Sequence, residues 1–471
     1  MTAPSWPIGF DAKTQRAQRK TRAIEEVSMQ HQNASPTVAI VGGGLAGLTA
    51  AALLARAGAD VTLLEQAREI GGRARTQRDD GFHFNLGPHA LYQGSPALTI
   101  FAELGVPVPA GRVAVAGYAI HRGRLFPFPA TGPAILASRL LGLADKWALL
   151  KVLARLEGLR LEGLGAISIG QWIQEHVRPP VARAFLHSLI RLTTYSHAPE
   201  ELSADAGLEQ LRLSTRGVLY VDGGWQTLVD GLQQVAEAAG ARLLTGTRAE
   251  AVTVDEQGTV TGLRLADGHS LPASAVLVAA SPETTAALLP PQAPTLRRLL
   301  AQQLPVQAAC LDLGLSRLPR PAATFALGVD AAVYFSVHSA AARLAPDGRA
   351  LIHAARYLPA HPRNDPESDR RELEEMLDRI QPGWRGAVVK QRWLPRLTVC
   401  HGLPRASLGG LAGRPGPLVA EVPGLYLAGD WIGPEGLLAN ASLASARQAT
   451  QAILASAHSQ QGNTRRARVA L

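Results

Sequence analysis

Three glycines, Gly42-x-Gly44-x-x-Gly47, sit between two segments of opposite periodicity. Before them Thr37-Val38-Ala39-Ile40-Val41 is a short apolar, β-branched run, the pattern of a buried strand. After them Leu45 to Ala57 is rich in Ala and Leu and stops at Gly58, the pattern of a helix with a glycine terminator. Val61-Thr62-Leu63-Leu64-Glu65 then reads as a second strand. A strand, a helix and a parallel strand in about 30 residues make a βαβ unit, which commits this part of the chain to an α/β architecture. Each glycine has a mechanical task. The first permits the tight turn, the second lets backbone approach a pyrophosphate, and the third lets helix pack on strand. The helix N-terminus offers unpaired N–H groups to the phosphates. Glu65 ends the second strand 21 residues after Gly44, placed to accept hydrogen bonds from ribose hydroxyls. The loop alone leaves open which dinucleotide is bound.

The remaining composition narrows the class. At 471 residues, 46% hydrophobic and 18% charged, the chain has material for two or three domains and a large core. Its net charge of +9 comes from 42 arginines and five lysines, scattered without a basic stripe, so nucleic-acid binding is not expected. Cys310 and Cys400 stand alone, with no CxxC and no ligand cluster, so neither a disulfide framework nor a metal site is expected, and a reducing cytoplasmic compartment fits. No run of 18 apolar residues predicts a membrane span. Residues 1–36 read as a flexible polar extension without the apolar core of a signal peptide, with Met29 as an alternative start.

Further along, residues 96–215 read as mostly helical. A turn region opens at Val218 to Gly224, and Ala249–Val254 with Val260–Leu265 reads as a hairpin around Glu256-Gln257-Gly258. Ala275 to Ala280 is another buried strand, 304–358 is strand-rich, and 367–380 has helical spacing. A last strand, Gly424 to Ala428, precedes Gly429-Asp430. A helix is expected from about Leu438 to Ala455, and a loose tail over 457–471.

After Glu65 the chain carries Ile70-Gly71-Gly72-Arg73-Ala74-Arg75-Thr76, a second glycine pair with arginines suited to the same pyrophosphate. From Val38 to Thr76 the sequence resembles the amine oxidase, phytoene desaturase and protoporphyrinogen oxidase superfamily of flavoproteins. Gly81-Phe82-His83-Phe84-Asn85-Leu86-Gly87-Pro88 is similar to the family segment that passes the isoalloxazine. Tyr220-Val221-Asp222-Gly223-Gly224 is similar to its entry into the second cofactor segment, and Leu425 to Asp430 to its C-terminal flavin motif. The resemblance implies non-covalently bound FAD. It also implies a Rossmann-type α/β FAD-binding domain built from 37–95, 216–285 and 400–456, beside a mixed α+β substrate domain of 96–215 and 286–399. The contacts it implies are Gly42, Gly44, Leu45, Ala46, Gly47, Glu65, Gln66, Gly72, Arg73, Gly87, Pro88, Ala249, Gly429, Asp430, Leu438 and Ala439. In the family the aspartate holds the ribityl and phosphate end and the next helix points at the flavin pyrimidine, where its dipole would stabilise reduced flavin. Asn85 stands where many relatives carry an acid, and Trp431 where a small or polar residue is common.

Within the superfamily, amine oxidases use a substrate-domain lysine near flavin N5, and this chain has no lysine between 152 and 389. Lys390 does not match that place. The desaturase and porphyrinogen oxidase branches need no such residue, and hydride removal from a lipophilic, isoprenoid- or carotenoid-like substrate is the leading expectation. An amine or amino-acid oxidase, a porphyrinogen oxidase and a non-catalytic flavin-binding escort are the alternatives. His89, just after Gly87-Pro88, is the candidate acid or base, with a structural histidine as the competing reading. Tyr334, His338 and His353 are expected on substrate-domain strands. Cys400 is weighed as a covalent flavin attachment point and set aside for poor spacing. Residues 134–161 combine many leucines with Arg139, Lys146, Lys151, Arg155 and Arg160 against Asp145 and Glu157, which suits either a peripheral membrane contact or a packed helix pair.

Overall fold

The computed structural model describes residues 35–114, 117–362 and 364–469, with side chains as far as 459. The extension expected over 1–36 lies, up to residue 34, outside the described residues.

The short apolar runs assemble into one parallel sheet. Its five strands stand in the order Arg242–Thr245, Asp60–Glu65, Thr37–Val41, Ala275–Val278, Leu425–Leu427. A central parallel strand is buried on both faces, which is why Thr37–Val41 and Ala275–Val278 read as continuous apolar runs. The helices Leu45–Arg56, Gln226–Ala238 and Leu438–Val469 cover one face through Leu48, Leu54, Leu228, Leu232, Leu443 and Ile453. The other face carries a three-stranded antiparallel sheet containing the hairpin Ala249–Val254 and Val260–Leu265, with the helices Pro282–Leu288 and Pro294–Ala301.

A second sheet has seven strands, in the order Val388–Cys400, Val306–Leu315, Ala350–Tyr357, Val333–Val337, Phe325–Gly328, Tyr118–His121, Arg124–Pro127. Along Val306–Leu315 the side chains alternate. Leu311, Leu313 and Leu315 pack on the helix Pro366–Ile380, and Ala308 and Cys310 face the opposite way. The helices between 132 and 214 form a third core that closes on this sheet through Phe185, Leu186 and Ile190.

One expectation gains a detail and one needs correction. The stretch 96–215 also holds the strands Ala110–Arg112, Tyr118–His121 and Arg124–Pro127, and the last two extend the seven-stranded sheet. Each is three or four residues long, too short for periodicity to register. The tail is not loose from residue 457: the last helix runs from Leu438 to Val469. No proline interrupts that stretch, and its Ala, Gln and Arg content favours continuation. Among the described residues no helix is long and apolar enough to cross a membrane.

Candidate active site

The C-terminal ends of the parallel strands open into a cavity of about 710 Å³ shared with the second sheet. The glycine loop forms one wall. Gly42 has φ of 108°, a conformation that disfavours any side chain, and a methyl group on Gly47 would strike the Gly42 carbonyl. Around Gly44 there is open space, as a close-approaching pyrophosphate needs.

Of the sixteen residues expected to contact the cofactor, Gly42, Gly44, Leu45, Ala46, Glu65, Gln66, Gly72, Arg73, Pro88, Ala249, Gly429, Asp430, Leu438 and Ala439 line this cavity. Gly47 and Gly87 do not. Gly47 serves the turn from behind, and Gly87 lets the chain pass Leu397 and Cys310, where a Cβ would come within 2.7 Å and 3.0 Å. Both glycines make room for the neighbouring chain. Other lining residues escaped the sequence reading: Tyr195, Trp225, Thr247, Arg248, Ser281, Ala308, Leu397 and His401. Arg248 and Thr247 directly precede the expected Ala249. The others come from distant segments and carry no local signal.

The residues present fit FAD on three counts. First, the Glu65 carboxylate accepts from Gly43 N–H at 2.8 Å and Ala67 N–H at 2.7 Å, one per oxygen, which leaves lone pairs on both oxygens for ribose hydroxyls. Second, Asp430 is buried and its Oδ1 makes no hydrogen bond, with His401 Nδ1 3.4 Å away, which leaves acceptor capacity for a ribityl hydroxyl. Third, the helix beginning at Leu438 directs its N-terminus at the cavity, and Leu438 holds a left-handed φ of 56° there. Tyr195 does the same at 60°, so among the described residues two of the four non-glycine positions with positive φ line this cavity, as strained functional positions often do.

Arg73 lines the cavity and also joins two distant chain segments. Its guanidinium donates to Asp430 Oδ2 at 2.6 Å and to the Val399 carbonyl at 2.8 Å, tying the first chain segment to the last. Burial alone would raise the Asp430 carboxyl; Arg73 and His401 outweigh it and hold the group well below the usual carboxylate range. The two departures from the family pattern are structural. Asn85 Oδ1 accepts from Trp225 N–H at 2.9 Å and Thr76 Oγ1 at 2.7 Å, and Trp431 is fully buried with its indole N–H on the Ala280 carbonyl.

At the substrate end, His89 stands edge-on to Trp225 at 4.7 Å, and its Nδ1 lies 3.1 Å from the Gly87 carbonyl. That carbonyl can only accept, so Nδ1 carries the hydrogen and Nε2 keeps its lone pair. Burial, with the charges of His353 and Arg73, pushes His89 down to about 4. Tyr92 and Tyr195 present their rings, because their hydroxyls are spent on the Thr193 and Pro88 carbonyls. Lys390 pairs with Asp79 at 3.0 Å, and Cys400 is buried with its thiol toward the Gly402 carbonyl; neither lines the cavity.

Comparison with known proteins agrees with this architecture. A coproporphyrinogen III oxidase from Propionibacterium freudenreichii subsp. freudenreichii is 26% identical over 453 aligned positions, covering 78% of this chain and 82% of the relative. A hydroxyneurosporene desaturase from Rubrivivax gelatinosus is 28% identical over 281 positions, 51% of this chain and 52% of the relative. The crystal structure of an oxidoreductase from Methanosarcina mazei superposes with a TM-score of 0.71 at 19% identity, covering 88% of this chain and 100% of that one. The N-terminal part, residues 4–78, matches the pyridine nucleotide-disulphide oxidoreductase model. Residues 45–454 match the model for flavin containing amine oxidoreductases, and the chain belongs to that family of FAD-dependent enzymes.

Proposed function

We propose that this enzyme dehydrogenates a lipophilic carbon substrate of isoprenoid or carotenoid type. The observation that carries this is the substrate end of the cavity. Ala308, Cys310, Leu397 and the rings of Tyr92 and Tyr195 make it apolar, and the His89 imidazole beside them is neutral at pH 7. Among the described residues no lysine lines the cavity. When bound, FAD supplies a two-electron acceptor. The protein's part is to exclude water, to hold the substrate carbon against the cofactor with rings and methyl groups, and to offer His89 Nε2 to the departing proton. The carotenoid desaturases among its relatives support the reading.

A porphyrinogen substrate is the second reading. It is favoured by the coproporphyrinogen III oxidase relative, which aligns over far more of the chain than the desaturases do. Anaerobic bleaching of the flavin against carotenoid precursors, porphyrinogens and amines separates the candidates. Bleaching by a carotenoid precursor is expected. Turnover of simple amines near the usual ~10 per second overturns the proposal.

The reading extends to a membrane surface. Of the leucine-rich stretch, Ile135, Leu140, Leu141, Leu149 and Leu156 turn inward as ordinary core. Leu136, Leu143 and Trp147 remain 56%, 78% and 72% exposed, among Arg139, Lys151 and Arg155. Asp145 is turned inward to accept from the Gly142 and Ala182 N–H groups, which leaves the outer face basic. A basic face with protruding Leu and Trp suits a bilayer carrying anionic lipid, from which a lipophilic substrate would enter.

A further inference from the structure

The segment that brings Asp430 and the last helix to the cavity is irregular. From Gly429 to Leu437 it runs without helix or strand, and Asp430 and Leu438 line the cavity at its two ends. Leu438 takes a left-handed φ of 56°, a strained conformation for a bulky side chain. Strain of this kind costs ~1–3 kcal/mol and persists only where the surrounding structure holds it.

Arg414 supplies that hold. It is buried. Its Nη1 donates to the Asp430 carbonyl at 3.1 Å and its Nη2 to the Gly436 carbonyl at 2.8 Å, so one planar guanidinium spans the segment. The chain beside it follows the same path. Gly433 N–H donates to the Pro415 carbonyl and Leu427 N–H to the Pro417 carbonyl, both at 2.8 Å. The two proline rings fix φ in this strut, which leaves Arg414 little freedom to withdraw.

The charge of Arg414 is the unusual part. Both of its acceptors are neutral carbonyls, and its buried Nε has no partner. The Asp430 carboxylate is bonded to Arg73 and lies beside His401. Burial pushes the Arg414 guanidinium down from the usual arginine value. One of the carbonyls it holds, that of Gly436, lies two residues before the helix that starts at Leu438, where the helix dipole is positive. A buried cation beside the positive end of a helix is a cost to the protein, and negative charge at that end of the cavity offsets it.

We propose that Arg414 is a positioning residue for the flavin. It clamps the segment 430–438 in the shape that presents Asp430 and the helix N-terminus to the cavity, and its charge makes that end favour the reduced cofactor, which carries the greater negative charge. Arg414 does not itself line the cavity and acts through Asp430 and Leu438. The inference rests on the family's FAD and is independent of the substrate.

Two variants test it, Arg414→Met, which keeps the length and loses charge and donors, and Arg414→Lys, which keeps the charge but cannot span two carbonyls. Three quantities are measured: FAD affinity by fluorescence titration of the stripped protein, the two-electron midpoint potential of the bound flavin against a dye of known potential, and thermal unfolding of the stripped protein. Arg414→Met should bind FAD ~10-fold more weakly. It should lose a further ~10-fold for reduced over oxidised flavin, a midpoint ~30 mV more negative. Arg414→Lys should restore the native potential and still bind FAD more weakly than the native protein. A Met variant that holds FAD at the native potential overturns the proposal, because an ordinary core residue changes stability and leaves the potential alone. A Lys variant with native FAD affinity overturns it as well. If Arg414→Met fails to fold, the Lys variant decides: weaker FAD binding by a stripped protein that melts as the native one does sustains the clamp, and native affinity overturns it. These readouts use no substrate, so a panel that fails to bleach the flavin leaves them intact.

Discussion

Glu65→Arg should yield a protein that does not hold FAD, and the structure gives the size of the effect. Each carboxylate oxygen of Glu65 already accepts one backbone N–H, from Gly43 and Ala67. Each therefore has one further lone-pair direction for a ribose hydroxyl. Two charge-assisted hydrogen bonds at ~1.5–3 kcal/mol apiece amount to ~3–6 kcal/mol, or ~10²–10⁴-fold in Kd. Arginine has no acceptor and cannot satisfy either the ribose or the two N–H groups. Glu65→Gln is the graded control. Its amide keeps one acceptor oxygen but turns an NH₂ against one of the two backbone donors, so an intermediate loss of ~10²-fold is expected. The assay is flavin absorbance after gel filtration, followed by fluorescence titration of the stripped protein with FAD. Thermal unfolding of the stripped variants separates damage to the loop from loss of ligand contact. A Glu65→Arg protein that elutes yellow with native affinity refutes the assignment of this carboxylate to the ribose.

Three other outcomes are expected. Acid precipitation should leave flavin in the supernatant, and Cys400→Ser should retain native FAD content, because this buried thiol faces the Gly402 carbonyl rather than the cavity; colour held in the native pellet and lost in the variant contradicts this. A carboxyl depressed on folding stabilises the protein above its unfolded value of about 4 and gives that up as the pH falls below it. Asp430→Asn should therefore flatten the acid limb of the melting profile between pH 5 and 3, and an unaltered limb would show that Arg73 and His401 do not hold the group down. The native protein should float with anionic vesicles at low salt. Changing Arg139, Lys146, Lys151 and Arg155 to Gln should abolish flotation at ~1 kcal/mol per residue without changing FAD content; a native protein that stays in solution with the vesicles removes the membrane contact.

Much of the fold was legible because its signals are local. The glycine loop, the acid at the end of the second strand and the hairpin around Gly258 each announce themselves within a dozen residues. The hairpin strands occupy the same bounds in the sequence reading and in the structure. The first helix and the helix at 366–380 were visible for the same reason, since a 3.6-residue period needs no knowledge of distant segments. What failed was the very short and the very long. The strand pair Tyr118–His121 and Arg124–Pro127 owes its place to partners two hundred residues away, and the last helix continues through a polar stretch that composition alone cannot separate from coil.

The site shows the same division more sharply. The residues expected to serve the cofactor's phosphates and ribose sit on glycine-marked turns and could be named, because a backbone that must approach a ligand closely leaves glycines behind. Arg73 could be named too, but not its partner: nothing near residue 73 or residue 430 says that they meet at 2.6 Å. A row across the seven-stranded sheet, Arg392, Asp312, His353 and Ser336, is harder still. Those four residues span more than fifty positions and four strands, and only the sheet register brings them into line. A shift of one residue in any of those pairings would turn a side chain to the opposite face. Asp312 would then turn to the face of the leucines that pack on Pro366–Ile380, away from His353 and Arg392. The register therefore does two things at once. It pairs this buried carboxylate on both oxygens, and it sets the imidazoles of His353 and His338 side by side with one ring nitrogen each free of hydrogen bonds.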